Sequence, residues 1–207
     1  MYKKFVRREE EILNICKNKN VLDLGCVAHS ALREESDTWL HKRILKVAKS
    51  VVGVDYEKLE INKLNKKGYN IIYGDVERLN INKCFDVIIA GELIEHLMNP
   101  GLFLDSVKKH MHEKSIIIIT TPNCFAIRRL IGSLFIRKLS ENREHISYYS
   151  NVNLIQLLKR KNFILVSEKY YLSEDKNKIL YFFEKLISLF IHKQNGHGLF
   201  FVFKLSK

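Results

Sequence analysis

Short β-branched runs alternate along this chain with longer stretches of helical spacing. Two of the runs, Val87-Ile88-Ile89 and Ile116-Ile117-Ile118-Ile119, are apolar without interruption. A strand covered on one face alternates apolar and polar positions, whereas a strand covered on both has no polar side to show. These runs therefore predict central strands of a parallel sheet, and the intervening helical segments predict βαβ units. Strands are expected at 20–24, 51–55, 70–73, 85–90 and 115–120, with two more at 163–170 and 199–205. Helices are expected at 37–49, 57–67 and 101–110, where Asp37 suits an N-cap and Gly68 a helix end. A leading helix occupies the first 19 residues. Beyond Pro122 the spacing predicts helices at 125–139, 151–161 and 179–191, and a turn at Asn195-Gly196-His197-Gly198. No repeat, low-complexity tract or linker divides residues 1–207, so a single α/β domain is expected.

Composition narrows the setting. A length of 207 residues is ample for one buried core. No apolar run reaches the ~18 residues needed to cross a bilayer, and the N-terminus turns charged too early for a signal peptide, which predicts a cytoplasmic protein. Cys16, Cys26, Cys84 and Cys124 form no CxxC pair, so neither a zinc site nor a disulfide framework is indicated. The net charge of +12 suits an anionic partner such as nucleic acid, an anionic glycan or a membrane surface. Lysine is spread along the whole chain, however, and a compositional bias accounts for it equally well.

Open parallel sheets bind ligands at the carboxyl ends of their strands. Gly25 follows the first strand, where the backbone must turn sharply and approach a ligand closely. Asp55 ends the second strand, where a carboxylate can accept both hydroxyls of a ribose. Gly74-Asp75-Val76 ends the third, and Asp75 can accept from an adenine amino group.

Six segments in this order, VLDLGC (21–26), VVGVDY (51–56), GDVERL (74–79), FDVIIAGELIEHLMNPG (85–101), IIIITTPN (116–123) and HISYYS (145–150), resemble the class I S-adenosylmethionine-dependent methyltransferases. The resemblance is to the broad group that includes ubiquinone-biosynthesis O-methyltransferases, and it covers residues 18–165. It implies a Rossmann-like, doubly wound, seven-stranded sheet with an antiparallel last strand and helices on both faces. It also implies S-adenosylmethionine as cofactor. Gly25 and Cys26 would pass its methionine end, Asp55 its ribose, and Tyr56, Asp75 and Val76 its adenine, with Ala90 and Gly91 under the sulfonium. Segments 124–150 and 173–197 would cap the acceptor side. One departure stands out: Val27 and His29 occupy places where the family loop usually has glycines.

The chemistry-bearing residues are Glu92, Glu95 and His96 after the fourth strand, and His145 with Tyr148, Tyr149 and Ser150 further on. If 92–96 is helical, Glu92, Glu95 and His96 share one face. Methyl transfer from a sulfonium needs alignment of the acceptor and removal of its proton, a task suited to histidine. His96 or His145 is the candidate general base. Alternatively, all four residues gather a divalent metal that polarises the acceptor oxygen. The ExxEH pattern with a distant HxxxYS also resembles small-RNA 2′-O-methyltransferases, in which these positions are metal ligands.

The expected function is O-methylation of a hydroxylated small molecule, glycan or lipid-linked precursor. RNA 2′-O-methylation and a non-catalytic cofactor-binding scaffold are the alternatives. A nicotinamide oxidoreductase is disfavoured by the missing GxGxxG. The apolar stripe at 179–191 suits a core or dimer face, a greasy acceptor or peripheral membrane contact.

Overall fold

A computed structural model describes residues 5–27, 30–127, 129, 142–172 and 193–206. Seven strands form one sheet: β1 (Asn20–Leu24), β2 (Ser50–Asp55), β3 (Ile71–Tyr73), β4 (Phe85–Gly91), β5 (Met111–Pro122), β6 (Phe163–Tyr171) and β7 (Gly198–Leu205). Their order is β3-β2-β1-β4-β5-β7-β6. Strands β1 to β5 pair in parallel, and β7 inserts antiparallel between β5 and β6. Every strand expected from the sequence is present, and the last strand has the expected antiparallel sense.

The uninterrupted apolar runs occupy the middle of this sheet. Ile88, Ile117 and Ile119 enter one core with Phe103, Leu104, Leu154 and Leu158 of α4 (Pro100–Lys108) and α5 (Asn151–Arg160). Val87, Ile89 and Ile118 enter another with Ile12, Cys16 and Ile44 of α1 (Arg8–Cys16) and α2 (Leu40–Leu45). Two helical layers thus flank the sheet, as continuous hydrophobicity requires. Helix α3 (Lys58–Lys66) seats Ile61 and Leu64 against Cys26, Val27 and Trp39.

Several boundaries differ from expectation for local reasons. The helix expected at 37–49 shrinks to Leu40–Leu45, and Asp37 does not cap it, because Trp39 holds the cap position with no side-chain bond. Residues 31–35 instead form a 3₁₀ turn capped by Ser30. The leading helix starts only at Arg8, since Val6 bridges to Tyr171 in extended form. Gly68 closes α3 as expected, with φ +93°. The expected helix at 179–191 and most of the one at 125–139 lie outside the described residues, as do large parts of both expected cap elements. Among the described residues no helix is long and apolar enough to cross a membrane.

Candidate functional site

The parallel strands end together on one side of the sheet, around a cavity of about 790 Å³. Its wall includes Gly25 and Cys26 after β1, Asp55 and Tyr56 after β2, Asp75 and Val76 after β3, and Gly91 at the end of β4. His96 and His145 line the same space. Ala90 does not: it is fully buried and faces the core beneath. Tyr56 is 66% exposed, at the lip rather than the floor.

Gly25 has φ +72°, and a Cβ there would press on Leu93 Cδ1 at 3.1 Å. A residue without a side chain is therefore required at the first turn. The loop beyond it is held by neighbours rather than by further glycines. Val27 N–H donates to Asp55 Oδ2 at 2.9 Å, and Trp39 Nε1–H donates to the Cys26 carbonyl at 2.8 Å. His41 Nδ1 donates to the buried Asp23 carboxylate at 2.8 Å, and its ring packs beside Trp39 with centroids 5.2 Å apart. Asp55 Oδ1 accepts from the Tyr56 and Glu57 amides, so the carboxylate is aimed before any ligand arrives.

The segment after β4 corrects one expectation. Residues 92–96 are not an α-helix: Glu92 is left-handed at φ +54°, and Ile94–His96 make a single 3₁₀ turn. The cause lies in the sheet, because the Glu92 amide still donates to the Thr120 carbonyl of β5 while the chain turns away. Glu92 and Glu95 consequently face different neighbours. Glu92 Oε1 accepts from Tyr171 OH at 2.6 Å and lies 3.9 Å from Arg8 Nε. Arg8 also donates to Thr120 Oγ1 at 3.0 Å.

Glu95 points inward with His96 and His145. Its Oε2 accepts from Thr121 Oγ1 at 2.9 Å, and its Oε1 is buried without a protein partner. Burial first, and Glu92 second, push the Glu95 carboxyl up to about 8. The backbone of Glu95 holds the incoming loop, its carbonyl accepting from the Ile146 and Ser147 amides. His96 Nδ1 faces the Glu144 carbonyl at 3.1 Å; a carbonyl can only accept, so the proton sits on Nδ1 and the neutral ring keeps its lone pair on Nε2. The His145 ring stands edge-on to His96 with centroids 4.7 Å apart. Burial, then the His96 and Arg129 charges, hold His145 below the usual imidazole range. Ligand atoms of Glu95, His96 and His145 lie within 4.8 Å of one another, a set that leaves out Glu92.

The sequence reading thus placed Gly25, Cys26, Asp55, Tyr56, Asp75, Val76, Gly91, Glu92, His96 and His145 on one cavity, with Glu95 just behind its wall. It missed Arg8, Trp39 and His41, which also line the cavity. Trp39, the chain's sole tryptophan, was the available signal. Arg8 gave none, being one cation among several in a leading helix.

A family model described as a methyltransferase domain matches residues 3–168. Among curated proteins, (S)-tetrahydroprotoberberine N-methyltransferase of Eschscholzia californica is 25% identical over 109 residues, covering 53% of this chain and 31% of that protein. Ubiquinone biosynthesis O-methyltransferase of Nitrobacter winogradskyi is 30% identical over 118 residues, covering 56% of this chain and 43% of its own. The chain therefore spans less than half the length of these relatives. Among solved structures, an S-adenosylmethionine-dependent methyltransferase from Clostridium acetobutylicum superposes with TM-score 0.64 at 13% identity, covering 100% of this chain and 93% of that one. The N-methyltransferase NodS of Bradyrhizobium japonicum, solved with S-adenosyl-L-homocysteine, gives 0.63 at 12% identity, covering 97% and 86%.

Proposed function

We propose, for a chain that belongs to the methyltransferase-domain family, that it moves a methyl group from S-adenosylmethionine to a hydroxyl of a small molecule, with His96 as the general base. The observation that carries this reading is the single cavity joining the strand ends at Gly25, Asp55, Asp75 and Gly91 to the two histidines. Its residues fit the donor. Gly25 and Gly91 border the cavity, Asp55 is preset by three amide donors, and the volume is that of a small-molecule site.

When bound, the donor supplies a methyl group on a sulfonium, whose leaving group needs no protonation. The protein's work is therefore to orient the acceptor and take its proton. His96 Nε2 carries the lone pair for that step, its tautomer fixed by the Glu144 carbonyl. The edge of His145 confines the His96 ring, and Glu95 anchors both sides of the site through Thr121 and the 146–147 amides.

The test is calorimetric titration with S-adenosylhomocysteine, followed by labelled methyl transfer into matched alcohols, phenols and amines and into RNA. Binding with transfer to a hydroxyl that fails in His96→Ala supports the reading. Transfer confined to amines or RNA would refute the acceptor assignment, and no binding would refute the donor. The named relatives include both N- and O-methyltransferases, which is why amines belong in the panel.

A metal-assisted variant is favoured by one observation, the convergence of Glu95, His96 and His145 within 4.8 Å. One carboxylate and two imidazoles suit a divalent transition ion, which would act as a Lewis acid on the acceptor oxygen. Loss of transfer on chelation, restored by a divalent ion, would select this variant; indifference to chelator would eliminate it.

A further inference from the structure

We infer that the face opposite the cavity is a docking surface for an anionic lipid bilayer. The parallel sheet gathers at one edge all the turns that lead into its strands. The segments at that edge are 17–19, 46–49, 66–68, 82–84, 109–114, 160–162 and the end of β7 at 204–206. Together they hold twelve lysines and arginines and a single acid, Glu113. Each strand contributes: Lys66, Lys49, Lys19, Lys83, Lys114, Lys204 and Arg160 are all exposed, taken in sheet order.

Hydrogen bonds join neighbouring turns into one surface. The Lys49 amide donates to the Lys19 carbonyl at 2.9 Å, and Asn20 N–H to Asp86 Oδ2 at 2.8 Å. Phe85 N–H donates to the His110 carbonyl at 3.0 Å, and Ser206 N–H to the Asn162 carbonyl at 2.8 Å. Two of the lysines in these turns are already paired by acids from outside them, Lys67 with Glu34 at 2.6 Å and Lys161 with Asp105 at 2.5 Å, and Asp86 is engaged by Asn20 and His112.

Shape and chemistry choose the partner. Seven strands at their usual spacing give a row roughly 29 Å wide. Helices of both layers end at the same edge and broaden the row into a patch. Its cations are spread over an area, which an extended anionic surface engages more fully than the narrow strip of a nucleic-acid duplex. The cations are mostly lysines, which act as point charges, and no exposed aromatic side chain lies in these segments to stack a base. The cavity mouth has the opposite character, with eight carboxylate residues against two arginines in its lining. An anionic surface would attract the base and repel the mouth, leaving the cavity open to solution.

The experiment is flotation of the full chain with phosphatidylcholine vesicles, with or without about 30% phosphatidylglycerol, at low and high salt. Each lysine beside an anionic surface is worth about fivefold in partitioning, and the attraction is screened by salt. Binding is expected only with phosphatidylglycerol and is lost at high salt. Lys19→Glu/Lys83→Glu should weaken it at least tenfold with the melting midpoint preserved, while Lys58→Glu/Lys63→Glu on α3 should not. No binding at low salt would overturn the proposal. Equal loss in both double variants would assign the effect to net charge alone and overturn it too. Tighter binding of a labelled RNA duplex, unaffected by competing anionic vesicles, would transfer the surface to nucleic acid.

Discussion

Trp39 Nε1 donates to the carbonyl of Cys26 at 2.8 Å, so the chain's one tryptophan fixes the loop that follows β1. Nearby, His41 holds Asp23 of that strand, and Asp55 takes the Val27 amide. A loop short of glycine is made rigid by bonds to its backbone from outside. Trp39→Phe keeps most of the bulk and loses the donor, leaving a buried carbonyl unsatisfied. The expected result is weaker S-adenosylhomocysteine binding by roughly tenfold, in line with ~1–2 kcal/mol for such a loss, with kcat little changed. Calorimetry measures the first and initial rates the second. In the unsubstituted protein, intrinsic fluorescence should respond to the same titration.

Gly91 makes a second steric prediction. A Cβ at this position would lie 2.8 Å from Arg8 Nη2, so Gly91→Ala must displace the guanidinium from its place over β4. Arg8 would then lose its bond to Thr120 and its approach to Glu92. The displaced group is the far end of a flexible side chain, so a cost of at most ~1 kcal/mol in stability is expected, chiefly from the lost polar contacts of Arg8. Denaturant melts would reveal it, and in an Arg8→Ala background, where those contacts are already gone, Gly91→Ala should cost little more.

Glu95 should give the apoprotein a pH-dependent stability. Its carboxyl is pushed up to about 8 in the fold, chiefly by burial, against an ordinary value of 4.5. Between those values the folded state binds more protons than the unfolded state. Stability from this residue is thus complete below about pH 4.5, declines as pH rises, and is lost once pH passes about 8. Glu95→Gln should flatten the decline and raise the melting midpoint at pH 8 by a few degrees relative to the parent, measured with chelator present. A parent profile already flat from pH 5 to 8 would contradict this.

The fold was legible because its signal is redundant. Val87-Ile88-Ile89 and the isoleucine run of β5 could only be strands covered on both faces, and each strand end carried a turn residue or an acid. The cavity lining was legible wherever it follows chain order, as at Gly25, Asp55 and Asp75 at the strand ends. Where the lining depends on tertiary contacts it was not. A helical reading of 92–96 joined Glu92 to Glu95, yet pairing of the Glu92 amide with β5 forces a left-handed turn and parts them. Arg8 reaches the cavity only because Gly91 leaves room, a relation between residues 83 positions apart that no local pattern encodes.

The two histidines can be separated by their pH behaviour. His96 carries its lone pair on Nε2 through the bond from Nδ1 to Glu144, while burial and the neighbouring cations keep His145 neutral at ordinary pH. If His96 is the base and His145 its support, His96→Ala should lower kcat by about 10²–10³ and abolish the acidic limb of the kcat profile. His145→Ala should cost less, because the lone pair of His96 remains. Steady-state rates from pH 5 to 9 for both variants decide the point. Loss of the limb in His145→Ala with its retention in His96→Ala would reverse the assignment.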